Sequence, residues 1–184
     1  MNPPDWASCT EDELWRYVAT HLTESGIECV LVGGAVVAIY SGGIYRSGDL
    51  DLVLPDGVGD RGITDAMTRI AFVRRGRHFV HPECAHLFVE FVRPPVAIGD
   101  DYNITPLAVQ VARTSLKILS PTDCVKDRLA SFIHFKAREC LDQAVLVARS
   151  QPIDRKEVAR WCGREGPGGR EAFKDFERLL DASS

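Results

Sequence analysis

The segment Asp49-Leu50-Asp51-Leu52-Val53-Leu54-Pro55 constrains the fold of this chain more than any other. Side chains on a β-strand alternate between its two faces, so Asp49 and Asp51 point the same way while Leu50 and Leu52 enter the opposite, buried side. The run becomes wholly apolar before Pro55 closes it, which is the pattern of a strand emerging from a core into a cleft.

The surrounding sequence supplies helices and further strands. Thr10-Glu11-Asp12-Glu13 has the form of a capping box, and Leu14, Tyr17, Val18 and Leu22 recur at helical spacing, so a helix is expected from there to about Ser25. Gly26 stops it before a β-rich run over Ile27 to Val32. Gly33-Gly34 interrupts that strand, and Ala35 to Tyr40 reads as a short buried helix. Asp60 to Arg74 reads as an amphipathic helix through Ile63, Met67, Ile70 and Phe72. Arg77 to Val80, Leu87 to Val92 and Ser115 to Leu119 are the next strand candidates. Ser120-Pro121-Thr122-Asp123 opens a helical third of the chain, with breaks expected near Phe135 to Arg138, at Gln151-Pro152 and over Gly163 to Gly169. The expected organisation is one unit, an αβ core over residues 1–120 with a helical segment over 121–184 packed on it. Arg164 to Gly169 reads as the one linker-like stretch, and truncation there is expected to be the mildest available.

Composition excludes several classes. The 184 residues suffice for one domain with a core, and 45% hydrophobic with 26% charged residues is globular usage. A formal charge of −4 is not that of a nucleic-acid coat, although Arg74-Arg75-Gly76-Arg77 could meet phosphate locally. The six cysteines form no CxxC pair and no disulfide framework, so reduced thiols are expected. No apolar run approaches the ~20 residues that span a bilayer, and no basic-then-apolar leader opens the chain, so a cytoplasmic protein without membrane partners is expected.

The acids carry the chemistry. Two carboxylates sharing one small volume raise each other's pKa unless a cation lies between them, and an all-oxygen pair at a strand end suits Mg²⁺ or Mn²⁺ better than zinc. Glu90 is a single acid inside Leu87-Phe88-Val89-Glu90-Phe91-Val92 and is costly to bury without a cation or a donor, which makes it the candidate third carboxylate. Gly33-Gly34, between a strand and a helix, lets backbone amides approach an anion, as at a phosphate site. The pair and the Asp-x-Asp strand are weak signals alone and specific together. His78, His81, Cys84 and His86 have a spacing that invites a zinc reading. They straddle a strand-turn-strand segment that scatters ligands, so a hairpin is the expectation. Trp6, Trp15 and Trp161 read as packing residues.

Val32-Gly33-Gly34 followed by Arg46-Ser47-Gly48-Asp49-Leu50-Asp51-Leu52-Val53 resembles the nucleotidyltransferase superfamily that includes DNA polymerase beta. Within it, Asp123-Cys124-Val125-Lys126-Asp127-Arg128-Leu129 resembles the D-x-x-x-[DK]-[KR]-L helix of the minimal prokaryotic proteins related to the AbiEii toxin. The resemblance covers roughly residues 27 to 150. It implies an α+β (α/β) fold, a nucleotidyltransferase-like mixed β-sheet flanked by helices with a C-terminal helical layer or bundle. It also implies transfer of a nucleotidyl group from a nucleoside triphosphate to a hydroxyl of an RNA, a tRNA or a protein, with a cognate antitoxin as a partner of the toxin-type members. Asp49, Asp51 and Glu90 would then be the catalytic and metal-holding acids for Mg²⁺ or Mn²⁺, and Gly33, Gly34, Ser47, Arg46, Lys126 and Arg128 the nucleotide-binding residues. Gly34 stands where many active members carry serine, and Arg128 where the AbiEii-related proteins usually have lysine. These departures leave open a second class of function, a nucleotide-binding or protein-interaction module that transfers nothing.

Overall fold

The computed structural model describes residues 1–182. Thr10 caps α1 (Glu11–Glu24) as its sequence requires: its hydroxyl accepts the Glu13 amide at 3.2 Å, and the Glu13 carboxylate accepts the Thr10 amide at 2.8 Å. Leu14, Tyr17, Val18 and Leu22 are all buried, and the chain leaves the helix through Gly26 at φ +80°. There follow β1 (Val30–Val32), α2 (Gly34–Tyr40), β2 (Asp49–Val53), α3 (Asp60–Arg69), β3 (Val73–Arg75), β4 (His78–His81), β5 (Cys84–Val92), β6 (Leu107–Val111) and β7 (Thr114–Ile118). Four helices follow among the described residues: α4 (Pro121–Phe135), α5 (Arg138–Ser150), α6 (Arg155–Arg164) and α7 (Gly166–Asp181).

The seven strands form one mixed sheet in the order β3-β4-β5-β2-β1-β7-β6. β2 lies at its centre, antiparallel to β1 and parallel to β5, and β1 is parallel to β7. A strand covered in this way needs an apolar face, and Leu50 and Leu52 are fully buried with Leu31 and Val89 of the neighbouring strands. α1 packs on β2 and β7 and against α3, while α2 lies on β1 and β2 and reaches α4 and α5. This is the mixed α+β architecture expected from sequence.

Three local expectations are corrected. The helix read over Asp60 to Arg74 ends at Arg69, because Ala71 takes a left-handed φ of +65° and the chain turns into β3. β6 is additional; it is an edge strand whose residues are all exposed or half-exposed, although Leu107, Val109 and Val111 alternate with Ala108 and Gln110 in the sequence. Arg164 to Gly169 is not a linker. Gly166 to Gly169 form the first turn of α7, and Gly169 abuts α6 so closely that a Cβ there would lie 2.1 Å from the Cys162 carbonyl oxygen. α7 buries Ala172, Phe176 and Leu180 against α4, α5 and α6, so the helix is core rather than appendage.

Among the described residues no helix is long and apolar enough to cross a membrane.

Candidate active site

Parallel pairing of β2 with β5 sets Asp51 directly beside Glu90, with Asp49 two residues earlier on the same face. Three carboxylates from two central strands thus share one side of the sheet, opposite the buried leucines. All three are half-buried. Burial first, then the charges of Asp49 and Glu90, push Asp51 up to about 6, with Arg128 pulling in the other direction. An electrostatic conflict of this kind is what a hard divalent cation relieves, and an all-oxygen set matches the donors that Mg²⁺ and Mn²⁺ prefer.

Gly33 stands against this acid cluster. It occupies φ +75°, and a Cβ built on it would lie 2.4 Å from Asp51 Oδ2. Only glycine meets both demands, so the Gly33 position is fixed by the site and not only by the turn. Gly34 opens α2 with its own constraint: a Cβ there would lie 2.8 Å from Ser47 Oγ and 3.4 Å from the Tyr45 hydroxyl. The volume that a serine at position 34 would fill is taken by Ser47, which donates to Asp49 Oδ1 at 2.9 Å. The Gly34 departure noted in the sequence therefore has a steric counterpart in Ser47.

The loop that carries Ser47 is held from α1. Glu11 is buried, and its Oε1 accepts the Ser47 amide at 2.7 Å and Arg46 Nε at 3.0 Å. In the sequence Glu11 is one residue of a capping box and nothing local distinguishes it, since its partners are 35 and 36 residues away. Arg46 itself is directed to Glu11, with its side chain half in solvent.

The two α4 candidates separate. Arg128 lies close enough to lower the Asp51 pKa, and its guanidinium is held by Asp127 Oδ2 at 2.6 and 3.1 Å and by Gln143 Oε1 at 3.3 Å. Lys126 is turned elsewhere. Its ammonium group is buried among Asp123 at 2.8 Å, Asp101 at 3.2 Å and Glu157 at 3.7 Å, in a polar pocket that none of the three cleft acids lines. Residues two apart on a helix point about 200° apart, so one motif feeds two places.

Glu90 has neighbours of its own. Arg77 Nε approaches Oε1 at 3.2 Å and His78 Nδ1 approaches Oε2 at 3.2 Å. The His78 contact is not aligned as a hydrogen bond, since its Nδ1 has no hydrogen-bond partner, and Arg77 is largely exposed, so both are weak, exchangeable pairings. His81 is drawn to the other side of the hairpin, where it stacks on Trp6 with ring centroids 3.7 Å apart.

No protein-family profile matches the chain, and no curated protein matches it by sequence. Solved structures do match by shape. An antigenic nucleotidyltransferase-like protein from Paracoccidioides brasiliensis superposes with a TM-score of 0.63 at 15% identity, over 94% of this chain and 89% of that one. The crystal structure of ANT(2'')-Ia in complex with adenylyl-2''-tobramycin gives 0.52 at 13% identity, over 90% and 97%. The solution structure of the same antibiotic-resistance factor gives 0.51 at 12%, over 92% and 94%. Identities this low speak for the fold and not for the substrate. The sheet order, the acid-bearing central strands and these likenesses together show that the chain has a nucleotidyltransferase-like fold.

Proposed function

We propose that the protein is a divalent-metal-dependent nucleotidyltransferase that moves a nucleotidyl group from a nucleoside triphosphate to a hydroxyl acceptor. The observation that carries this reading is the in-register placement of Asp51 beside Glu90, with Asp49 on the same face, against a Gly33 that has no room for a Cβ. Asp49, Asp51 and Glu90 would hold Mg²⁺ or Mn²⁺, which when bound neutralises the triphosphate and acidifies the attacking hydroxyl. Asp49 is oriented for this by the Ser47 hydroxyl, and Ser47 by Glu11. Glu90 would join the set by giving up its weak pairings with Arg77 and His78. The Gly33-Gly34 turn abuts Asp51 and Ser47, and its amides would receive phosphate oxygens. Arg128, its planar guanidinium held in place by Asp127 and Gln143, would supply positive charge opposite the triphosphate. Arg46 would have to leave Glu11 to act as a second cation, and Lys126, sequestered by three carboxylates, serves the packing around α4 instead.

The acceptor classes under this reading are the hydroxyls of an RNA or tRNA, of a protein, or of a small polyol such as the tobramycin named with one structural neighbour. Calorimetric titration with each nucleoside triphosphate, with and without Mg²⁺, tests the donor side. Metal-dependent binding by the wild type and its loss in the Asp49→Asn, Asp51→Asn double variant is the expected result. No binding of any triphosphate by folded wild type would leave the alternative, a fold retained for protein interaction. Transfer of label from the bound nucleotide to total tRNA, to protein or to an aminoglycoside then assigns the acceptor. Label on tRNA or protein together with growth arrest on expression, relieved by a co-expressed neighbour, is the expectation for the toxin role.

A further inference from the structure

Cys9, Cys84 and His86 come together outside the acidic cleft. Cys9 closes the N-terminal segment immediately before the Thr10 cap, and Cys84 and His86 open β5. The two sulfurs lie 3.8 Å apart, Cys84 Sγ lies 3.9 Å from His86 Nδ1, and the three donor atoms all fall within 4.8 Å of one another. Two thiolates on one tetrahedral zinc, each ~2.3 Å from the ion, are separated by about 3.8 Å, and a thiolate and an imidazole nitrogen by about 3.5 Å. The sulfur pair is already at the zinc edge length, the Cys84–His86 edge is about 0.4 Å longer than the zinc sulfur–nitrogen edge, and binding would draw the imidazole in toward Cys9.

The imidazole is set up as a ligand. His86 Nε2 lies 2.9 Å from the Cys9 carbonyl oxygen, a contact that places the proton on Nε2 and leaves the Nδ1 lone pair facing the sulfurs. Backbone restraint of the far ring nitrogen is how metal-bound histidines are held. Both cysteines are buried and His86 is exposed, so the imidazole is the solvent-facing member of the set.

We propose that Cys9, Cys84 and His86 form a zinc site with three protein ligands and one solvent position. Charge selects the ion: two thiolates and a neutral imidazole give a neutral complex with a divalent cation, whereas a monovalent soft ion would leave a buried negative charge. Mg²⁺ is excluded by its preference for oxygen. Binding breaks two S–H bonds, forms two metal–sulfur bonds and one metal–nitrogen bond, and releases two protons to solvent. The clip ties residue 9 to a strand 75 residues on and fixes the start of α1, two residues from the Glu11 that holds Ser47.

The test is titration of the reduced full-length protein with Co²⁺ as the probe, in excess Mg²⁺ so that the oxygen donors of the cleft are saturated. One equivalent should produce an intense sulfur-to-cobalt charge-transfer band with the d–d absorption of a four-coordinate ion, bleached by one equivalent of Zn²⁺. Cys84→Ser should abolish the band, Cys140→Ser should keep it, and His86→Asn, at an exposed position that does not threaten folding, should weaken binding by roughly tenfold or more. Absence of the band in reduced, folded wild type overturns the proposal. So does a band that survives Cys84→Ser, or affinity unchanged in His86→Asn. Recovery of a Cys9–Cys84 disulfide in air, with no metal uptake after reduction, overturns it equally.

Discussion

Asp51 concentrates the conflict between stability and chemistry in a single residue. Its folded pKa, about 6, lies above the ordinary 3.8, so the folded state holds the proton more tightly than the unfolded chain. Stability from this group is therefore full at acidic pH, declines as pH rises from about 4 through 6, and stays flat above. Asp51→Asn removes the penalty. Denaturant melts of the metal-free protein should show the variant gaining roughly 1–3 kcal/mol over wild type across that window. The same variant should lose the stabilisation that Mg²⁺ gives wild type above pH 6. A gain independent of pH would mean that Asp51 is not strained by its neighbours. A second residue-scale prediction concerns the glycine pair. Gly34→Ala puts a Cβ 2.8 Å from Ser47 Oγ and should cost about 1–2 kcal/mol, while the double variant with Ser47→Ala should cost clearly less than the two singles combined. Simple additivity in urea melts would show that Ser47 does not occupy the missing volume.

The last helix decides whether the C-terminus is an appendage. The glycines and proline of residues 166–169 look like a linker in sequence because helix propensity counts against them. In the structure Gly169 is required by the close approach of α7 to α6, and Phe176 is fully buried. Phe176→Ala should lower stability by about 3–5 kcal/mol in thermal or denaturant melts. Truncation after Glu165 should remove the cooperative transition altogether. A truncated chain that melts like wild type would restore the linker reading. β6 is the complementary case: Leu107, Val109 and Val111 do alternate with Ala108 and Gln110, but the run is short and little buried, and its pairing with β7 is what makes it a strand.

Across the molecule, the cleft joins the sheet to the helical layer. Asp49, Asp51 and Glu90 come from the centre of the sheet, whereas Arg128 comes from α4, so a triphosphate bound as proposed would bridge both layers. Saturation with Mg²⁺ and the cognate triphosphate at a hundredfold over Kd should raise overall stability by about 2.7 kcal/mol, visible as a single shifted melting transition. Arg128→Ala should remove most of that shift. Lys126→Met should behave oppositely, lowering the baseline by roughly 3–5 kcal/mol because Asp101 and Asp123 lose their buried partner, yet leaving the ligand-induced shift intact. An equal loss of the ligand shift in both variants would contradict the separation of the two residues described above.

What the sequence determined by itself is local. A period of two placed Asp49 and Asp51 on one face, the capping box started α1, and Ser120-Pro121 started α4, because each of these signals is written in residues a few positions apart. The resemblance carried the reading further, to a fold of nucleotidyltransferase type. Tertiary structure alone decided the long-range relations. The parallel pairing of β2 and β5 set Asp51 beside Glu90, 39 positions later, Glu11 was brought to Ser47, and Arg128 and Lys126 were sent to different places. Cys9 met Cys84 and His86 for the same reason: a contact 75 residues long has no spacing to read, since it exists only once the sheet has closed and the entropy of that loop has been overcome.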